Sequence, residues 1–477
     1  MNSQSTQKIN KELFESAPIA RAVFTMAVPT VITQLINIAY NFADTWFVGR
    51  TGDPAMVATL GVCFPIFVIM AAVSNLFGIG GASAISRALG AGNPRRARRV
   101  FAFCFWTGLA GAVVYLTVMA LFRRQIIGLI GGDENDWQYV SDYIFWTMII
   151  GAVPSVGNVL CGHLVRSIGA SREAGFGMSM GGVLNIVLDP LFMFVILPPG
   201  QEITGAAIAT MLSNTCAFLY FLQLILRRRG HPVLTLDPRD YSAAEGIPME
   251  VVSIGLPAAL QTTFAMFSNI MANNLMVPYG SEAVAGMGVA KKLNMIGFNT
   301  CMGVTQGVLP LLGYCWGARN YKRMRSLIRF TGTGVFLYGC LCTLILRGFA
   351  TPLMRAFIDE PLSLSYGTMY LRILAFAAPL ASFSYLVGTV FQAAARKGSA
   401  FLIAVLRKGV LDVPLMFLLR DTLALGARGV ALATPAAEVL SVLIAAGLYL
   451  RLARSMRGMG AGQPDAAGDL PVQDGHA

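Results

Sequence analysis

Four acidic residues, Asp44, Asp189, Asp412 and Glu438, stand inside stretches of the chain that are otherwise apolar. An ionisable side chain held within a membrane costs on the order of 2.5–3.5 kcal/mol by insertion scales, so each marks a candidate functional site. Two of the four come with polar company. Tyr40 precedes Asp44 by one helical turn, Asn185 precedes Asp189 in the same way, and Ala206 precedes Thr210. A four-residue step puts both members of a pair on one helix face. Two carboxylates, an amide, hydroxyls and a backbone carbonyl form a set of hard oxygen ligands. Such a set suits Na⁺, held by Asp44, Asn185, Asp189 and Thr210, and two close carboxylates suit a shared proton equally well. The residue types leave that choice open.

The composition defines what must position these groups. Apolar residues make up 55% of the chain and charged residues 13%, with a mean hydropathy of +0.63. Soluble domains carry about 25% charged residues, so this chain belongs in lipid. Windows long enough to cross a hydrocarbon core, about 20 residues, recur twelve times. They run over 20–48, 56–85, 100–121, 138–162, 173–197, 204–226, 248–277, 283–314, 327–346, 366–392, 399–419 and 429–450. The expected fold is an all-α integral membrane protein of twelve transmembrane helices. The start of the chain shows no basic region followed by an apolar core and a small-residue cleavage site, so the first helix is expected to serve as its own insertion signal.

Basic residues orient the spans. With the N-terminus cytoplasmic, the inward loops hold Arg87, Arg95, Arg96, Arg98 and Arg99, then Arg166 and Arg172, then Arg227, Arg228, Arg229 and Arg239. Further along they hold Arg319, Lys322, Arg323, Arg325 and Arg329, then Arg396 and Lys397, then Arg451, Arg454 and Arg457. The outward loops carry few, offset by Asp133, Glu134, Asp136, Asp359 and Glu360. The positive-inside rule therefore places both termini in the cytoplasm of a plasma (bacterial inner) membrane protein. The net charge of +12 is thereby assigned to helix flanks facing anionic lipid, not to a nucleic-acid-binding face. In this orientation Asp44, Asp189 and Thr210 all fall roughly 7–12 Å below the outer surface, at ~1.5 Å of rise per residue.

The chain also repeats itself. The stretch AVPTVITQLINIAYNFADTWFVG around Pro29 is answered by GLPAALQTTFAMFSNIMANNL around Pro257. LGAGNPRRARR at 89–99 is answered by WGARNYKRMRS at 316–326, and GAAIAT at 205–210 by GVALAT at 429–434. Two pseudo-symmetric six-helix lobes, 20–226 and 248–452, are expected. An N-terminal segment 1–19, a cytoplasmic linker 227–247 and a disordered tail 453–477 flank and join them. Parallel repeats of this kind place a substrate site between the halves and work by alternating access.

These landmarks, with Asp44-Thr-Trp-Phe-Val-Gly, LVRSIGASREA at 164–174, LNIVLDPLFMF at 184–194 and GVTQGVLPLLGYCWGARN at 303–320, resemble the multidrug and toxic compound extrusion (MATE) family over residues 15–455. The resemblance implies twelve helices in two lobes and export driven by inward Na⁺ or H⁺ flow. It also implies that Tyr40, Asp44, Asn185, Asp189, Ala206 and Thr210 form the cation or proton site of the N-terminal lobe. A major branch of the family places a coupling carboxylate in helix 7. Here the position answering Asp44 falls at or near Ala272, in SNIMANN, and no acid is expected at that depth in the helix. The coupling site is therefore expected in the N-terminal lobe, as in the bacterial type.

The remaining intramembrane polar residues are secondary candidates. Asp412 falls one residue from the repeat position of Asp189 and is expected to lack a helix-7 partner. Glu438 lies within reach of Arg407 and Lys408, which makes an interhelical ion pair its simplest role. Lys291 and Lys292 either line the cavity or neutralise such an acid, and Asn158 is a weaker polar site. Pro29 removes a backbone hydrogen bond in the first third of helix 1 and is the expected hinge. Glycines in FGIGGASAIS at 77–86 and GFGMSMGG at 175–182 allow close helix packing. The eight cysteines are expected to pack between helices as small apolar groups, and His163 to be an interfacial residue.

The functional expectation is a secondary active antiporter, exporting amphipathic, often cationic drug-like compounds in exchange for H⁺ or Na⁺. A flippase for lipid-linked precursors shares this architecture and is the alternative. An enzyme is not expected, since no nucleophile, metal or nucleotide motif appears, and the P-loop pattern is absent, so no ATP and no cofactor are expected. Membrane lipids are the expected surroundings, no nucleic-acid partner is expected, and the chain is expected to be a monomer.

Overall fold

The structure, a computed structural model, describes residues 11–130, 137–228 and 230–461, and its regular structure there is entirely helical. The loop acids Asp133, Glu134 and Asp136, Arg229 and the two chain ends lie outside the described residues. Six membrane helices form the first half: α1 (Ile19–Gly49), α2 (Pro54–Gly90), α3 (Pro94–Leu121), α4 (Trp137–Ile150 with Ala152–Ser167), α5 (Ser171–Ile196) and α6 (Glu202–Arg227). Six more form the second: α7 (Ile247–Tyr279), α8 (Ser281–Gly317), α9 (Tyr321–Gly348), α10 (Pro361–Leu374 with Ala377–Ala393), α11 (397–422) and α12 (Gly426–Ala461).

Among the described residues nine helices are single apolar spans, and α4 and α10 are bent by 50° and 43°. Each bend has a local cause. In α4 a π-helical stretch, Phe145–Ile150, ends at Gly151, just before Pro154. In α10 Pro379 cannot donate to the Ala375 carbonyl, which accepts instead from the Thr343 hydroxyl of α9 at 2.7 Å. The α11 segment is interrupted by two π-helical stretches, Leu406–Val410 and Leu418–Thr422, and carries Arg407, Lys408, Asp412, Arg420 and Asp421. Its charges, not its length, keep it out of the apolar set.

The helices outrun the apolar windows, because polar first and last turns project past the hydrocarbon. α2 and α3 start on N-caps supplied by Asp53 and Asn93, each followed by proline at the first helical position. α12 continues to Ala461, so residues 453–461, expected as disordered tail, are helical. The arginines after α2 differ from expectation as well. Arg96 and Arg99 pair with Glu245, Arg96 also with Glu250 at 2.7 Å, and Arg98 with Asp240 at 2.7 Å. The arginine run after α2 therefore clamps the connection between α6 and α7 as well as flanking the membrane. Burial pushes the Asp240 carboxyl up, but hydrogen bonds from Thr235 and Arg98 outweigh it and hold the group below the usual carboxylate range.

The two halves meet about a pseudo-twofold axis that can be read residue by residue. Gly90 of α2 sits on the Tyr314 carbonyl of α8, and Gly317 of α8 sits on the Arg87 carbonyl of α2. α2 also crosses α7 where Gly80 faces the Val251 carbonyl and Gly255 faces that of Leu76. α8 crosses α1 in the same manner, with Gly303 and Gly307 against Val31 and Ala27. Only hydrogen in place of a side chain permits backbone contact this close. Arg87 reinforces the seam. Buried, it pairs with Glu250 of α7 at 2.8 Å and donates to the Gln392 and Ala393 carbonyls ending α10 at 3.2 and 3.3 Å. An apolar cluster containing Met26, Leu312, Phe391 and Met456 fills the same region.

A methyl group at Gly255 would fall on the Leu76 carbonyl oxygen, well inside van der Waals contact, whereas Gly334 of α9 has no neighbour within 4 Å. Gly255→Ala is therefore expected to destabilise the purified protein by about 1–3 kcal/mol, seen as a lower thermal unfolding midpoint. Gly334→Ala is expected to leave the midpoint unchanged.

Candidate functional site

α1 and α5 are brought together by glycines. A Cβ at Gly175 would lie 2.8 Å from the Pro29 ring, and one at Gly182 would lie 2.7 Å from the Ile36 side chain. The Thr33 hydroxyl crosses this contact, donating to the Pro29 carbonyl at 2.9 Å and lying within 3.3 Å of the Gly175 carbonyl and 3.1 Å of the Ser179 hydroxyl. Pro29 is thus pinned to α5, the helix that carries Asp189. Farther along the same crossing, Tyr40 comes next to Gly182.

The expected cluster assembles beyond that point. Asn185 donates its amide to Asp189 Oδ1 at 3.0 Å and to the Thr210 hydroxyl at 3.2 Å, joining α5 to α6. Asp189 is 0% exposed and Asn185 3%. Asp44 faces them from α1, within electrostatic range of Asp189, Tyr40 and Tyr143. Three buried oxygens have no donor: Asp44 Oδ1, Asn185 Oδ1 and Asp189 Oδ2. Two carboxylates and an amide oxygen converge with a hydroxyl, and no cationic side chain pairs with either acid among the described residues. Such a cluster is rich in lone pairs and short of positive charge, a fit for a hard monovalent cation or a proton. Ala206 is fully buried within the apolar cluster of Val48, Met193 and Ile203 below Thr210, and its side chain contributes packing.

A cavity of about 230 Å³ opens beside these groups, lined by Tyr40, Asn185 and Thr210. Its other walls are apolar (Phe67, Met70, Met178) and polar (Ser74, Asn158, Ser213, Asn214). Drug pockets run roughly 300–1,000 Å³, so this chamber fits a cation with its hydration or one small moiety. Asn158 belongs to the network, for its amide donates to Asn214 at 3.1 Å while Asn214 donates to the Thr210 carbonyl at 3.0 Å. Asn214 went unnoticed in the sequence although it follows Thr210 by one turn. The rule that paired Asn185 with Asp189 finds it too. Tyr143 gave no such signal, since only the bent half of α4 brings it near.

The second half is organised differently. Asp412, 1% exposed, accepts from the Ser268 hydroxyl of α7 at 2.6 Å and from the Thr434 hydroxyl of α12 at 3.2 Å, and pairs with Lys408 at 3.3 Å. Helix 7 thus does supply a partner, a hydroxyl instead of an acid. Glu438 and Arg407 form the expected ion pair at 2.7 Å, both 1% exposed, with the guanidinium 3.7 Å from the centre of the Tyr385 ring. Lys291 reaches Asn273 and the Asn269 carbonyl of α7 at 3.4 and 3.5 Å, and Lys292 lies over Phe42 of α1. His163 is buried against Gly78 and Arg166, not interfacial, because small glycines leave room for its ring. Cys216 is exposed, whereas the other seven cysteines are buried or partly buried.

Two six-helix halves around a pseudo-twofold axis, one with an unbalanced polar cluster, define a multi-pass membrane transporter. The MatE family model matches twice, over residues 29–191 and 254–418, and the chain belongs to the MATE family. That family is one of transporters and not of enzymes, and places the chain in the plasma membrane. The multidrug export protein MepA of Staphylococcus saprophyticus is 26% identical over 432 residues, covering 91% of this chain and 94% of the relative. MepA of Staphylococcus aureus gives the same figures. Among solved structures, a mutant of the Vibrio cholerae MATE transporter VcmN superposes with a TM-score of 0.85 at 23% identity, covering 92% of this chain and 97% of that one. A Pyrococcus furiosus transporter of the MOP superfamily gives 0.87 at 22%, covering 94% and 98%. These likenesses establish the twelve-helix, two-lobe fold.

If Asn158 and Asn214 act as a pair across α4 and α6, a double-mutant cycle with alanine is expected to give a coupling of about 0.6–1.7 kcal/mol in unfolding of the purified protein. Strict additivity would separate them.

Proposed function

We propose that this transporter is a multidrug exporter that moves amphipathic, often cationic organic compounds outward in exchange for H⁺ or Na⁺, with Asp44, Asn185, Asp189 and Thr210 as its coupling site. The observation that carries this reading is the set of three donor-free buried oxygens on Asp44, Asn185 and Asp189. Two uncompensated carboxylates in an apolar lobe are stable only when a proton or cation joins them. Loading from outside neutralises the cluster, and release to the cytoplasm restores its charge, so the lobe alternates between two electrostatic states. The relatives named for multidrug export support the substrate class.

Coupling needs a moving part that feels the charge. Asp44 and Pro29 share α1, and Pro29 is pinned to α5 through Thr33 and Gly175. Neutralising Asp44 removes its repulsion of Asp189 on α5, and α1 bends at the proline, where the hydrogen bond to Thr25 is missing. The change in α1 reshapes the chamber wall at Asn37, Tyr40 and Asn41. Drug and ion thereby compete for alternate shapes of one lobe.

In liposomes carrying either a pH or a Na⁺ gradient, the protein is expected to move a fluorescent cation such as ethidium. Asp44→Asn and Asp189→Asn are each expected to lower gradient-driven transport by about 5–150-fold, the range of a 1–3 kcal/mol coupling. Normal transport by well-inserted Asp44→Asn would refute the coupling role. Pro29→Ala is expected to slow transport several-fold without abolishing dye binding, and an unchanged rate would remove the hinge.

A further inference from the structure

The second half holds a matching set of positions. Val187-Leu188-Asp189 of α5 recurs as Val410-Leu411-Asp412 of α11, and GAAIAT against GVALAT sets Thr434 opposite Thr210. The Pro29 and Pro257 register sets Ser268 opposite Tyr40 and Ala272 opposite Asp44. The geometry follows the register: in each half an aspartate of the fifth helix is linked to the threonine of the sixth, through Asn185 in one and directly in the other. Two positions differ in kind: Ala272 stands where the first half has Asp44, and a turn before the aspartate the first half has the neutral amide Asn185 and the second has the ammonium of Lys408.

That difference inverts the balance of donors and acceptors. The first-half cluster leaves three oxygens without donors and has two acids with no cationic partner. In the second half Asp412 receives Ser268 and Lys408 on Oδ2 and Thr434 on Oδ1, and none of these residues has an unpartnered buried polar atom. The second acid is missing, since Ala272 takes the place of Asp44. What remains is one carboxylate, two hydroxyls and a tethered monovalent cation.

We infer that the second lobe carries a second cation site in which the Lys408 ammonium permanently takes the place of the exchangeable ion. The ligand this site would otherwise accept is a proton or an alkali cation, the same chemistry as at the first-lobe cluster, on whose proposed coupling role the inference rests. Lys408 thereby restricts ion exchange to the first lobe and leaves the second as a fixed half of the machine. Lys291 on α8 also acts on Asp412 electrostatically, and the Arg407–Glu438 pair stands beside it on α11 and α12. Of these groups Lys291 adds positive charge on that side, while the Arg407–Glu438 pair is neutral as a unit.

The test restores the asparagine. In full-length Asp44→Asn protein, where the first site is disabled, adding Lys408→Asn is expected to create binding of one further cation per chain. Radiolabelled Na⁺ on the purified protein reads an alkali cation, and a pH-indicator dye after a pH jump reads a proton. Either signal supports the inference if a further Asp412→Asn change removes it. Absence of both in a monodisperse, folded Lys408→Asn chain overturns it. Lys408→Met with Asp412→Asn removes the pair while stranding no charge. This double variant is expected to export dye with wild-type dependence on the driving ion, and loss of transport in well-inserted protein overturns the inference independently of how Lys408→Asn folds. Should Asp44→Asn itself transport normally, the first-lobe reading falls, while the gain or lack of binding at Asp412 still reports on Lys408.

Discussion

A charge buried in this bundle needs a partner, since an isolated buried ion costs several kcal/mol. The two lobes meet that constraint in opposite ways. The second pairs each of its buried acids with a cation: Arg407 of α11 with Glu438 of α12, both buried, and Lys408 with Asp412 within α11. The first does not, and its carboxylates face Tyr40, Asn185 and Thr210, none of which brings positive charge. That one difference is what the proposed coupling role of the first lobe rests on.

The sequence revealed the architecture because a membrane span is a one-dimensional signal. Apolar length, loop arginines and the recurrence of GAGN and GARN were enough for helix number, orientation and duplication. The contact between Asn185 and Asp189 was legible for the same reason, since a step of four residues sets them on one helix face. What escaped is what only three dimensions contain. The break in α4 comes from a π-helical stretch ending at Gly151, and that in α10 from proline acting with a neighbour, Thr343 for the Ala375 carbonyl. Ser268 is an ordinary hydroxyl until α7 sets it against Asp412. Arg96, Arg98 and Arg99 looked like lipid-facing charges, and the acids that pair with them lie some 140 to 155 residues away.

Duplication supplied one scaffold twice, and the comparison between copies is more informative than either alone. Where both halves need the same thing, close backbone approach, they keep the same residue, glycine. Where they differ, Ala272 stands for Asp44, and the position a turn before the aspartate exchanges amide for ammonium. The pseudo-axis therefore separates what the fold requires from what the chemistry requires, without recourse to any other chain.

The seam between the lobes has a consequence for how such a protein diversifies. Gly90 rests on the backbone of α8 and Gly317 on that of α2, so each position is constrained by main chain, which mutation cannot trim. No change in a partner side chain compensates for a larger residue there, and the symmetry duplicates the restriction. The chamber beside Asn185 is walled instead by side chains such as Phe67, Met70 and Met178, which can be exchanged one at a time. Substitution is thus tolerated along the chamber wall, whereas at these positions the seam between the lobes admits only glycine.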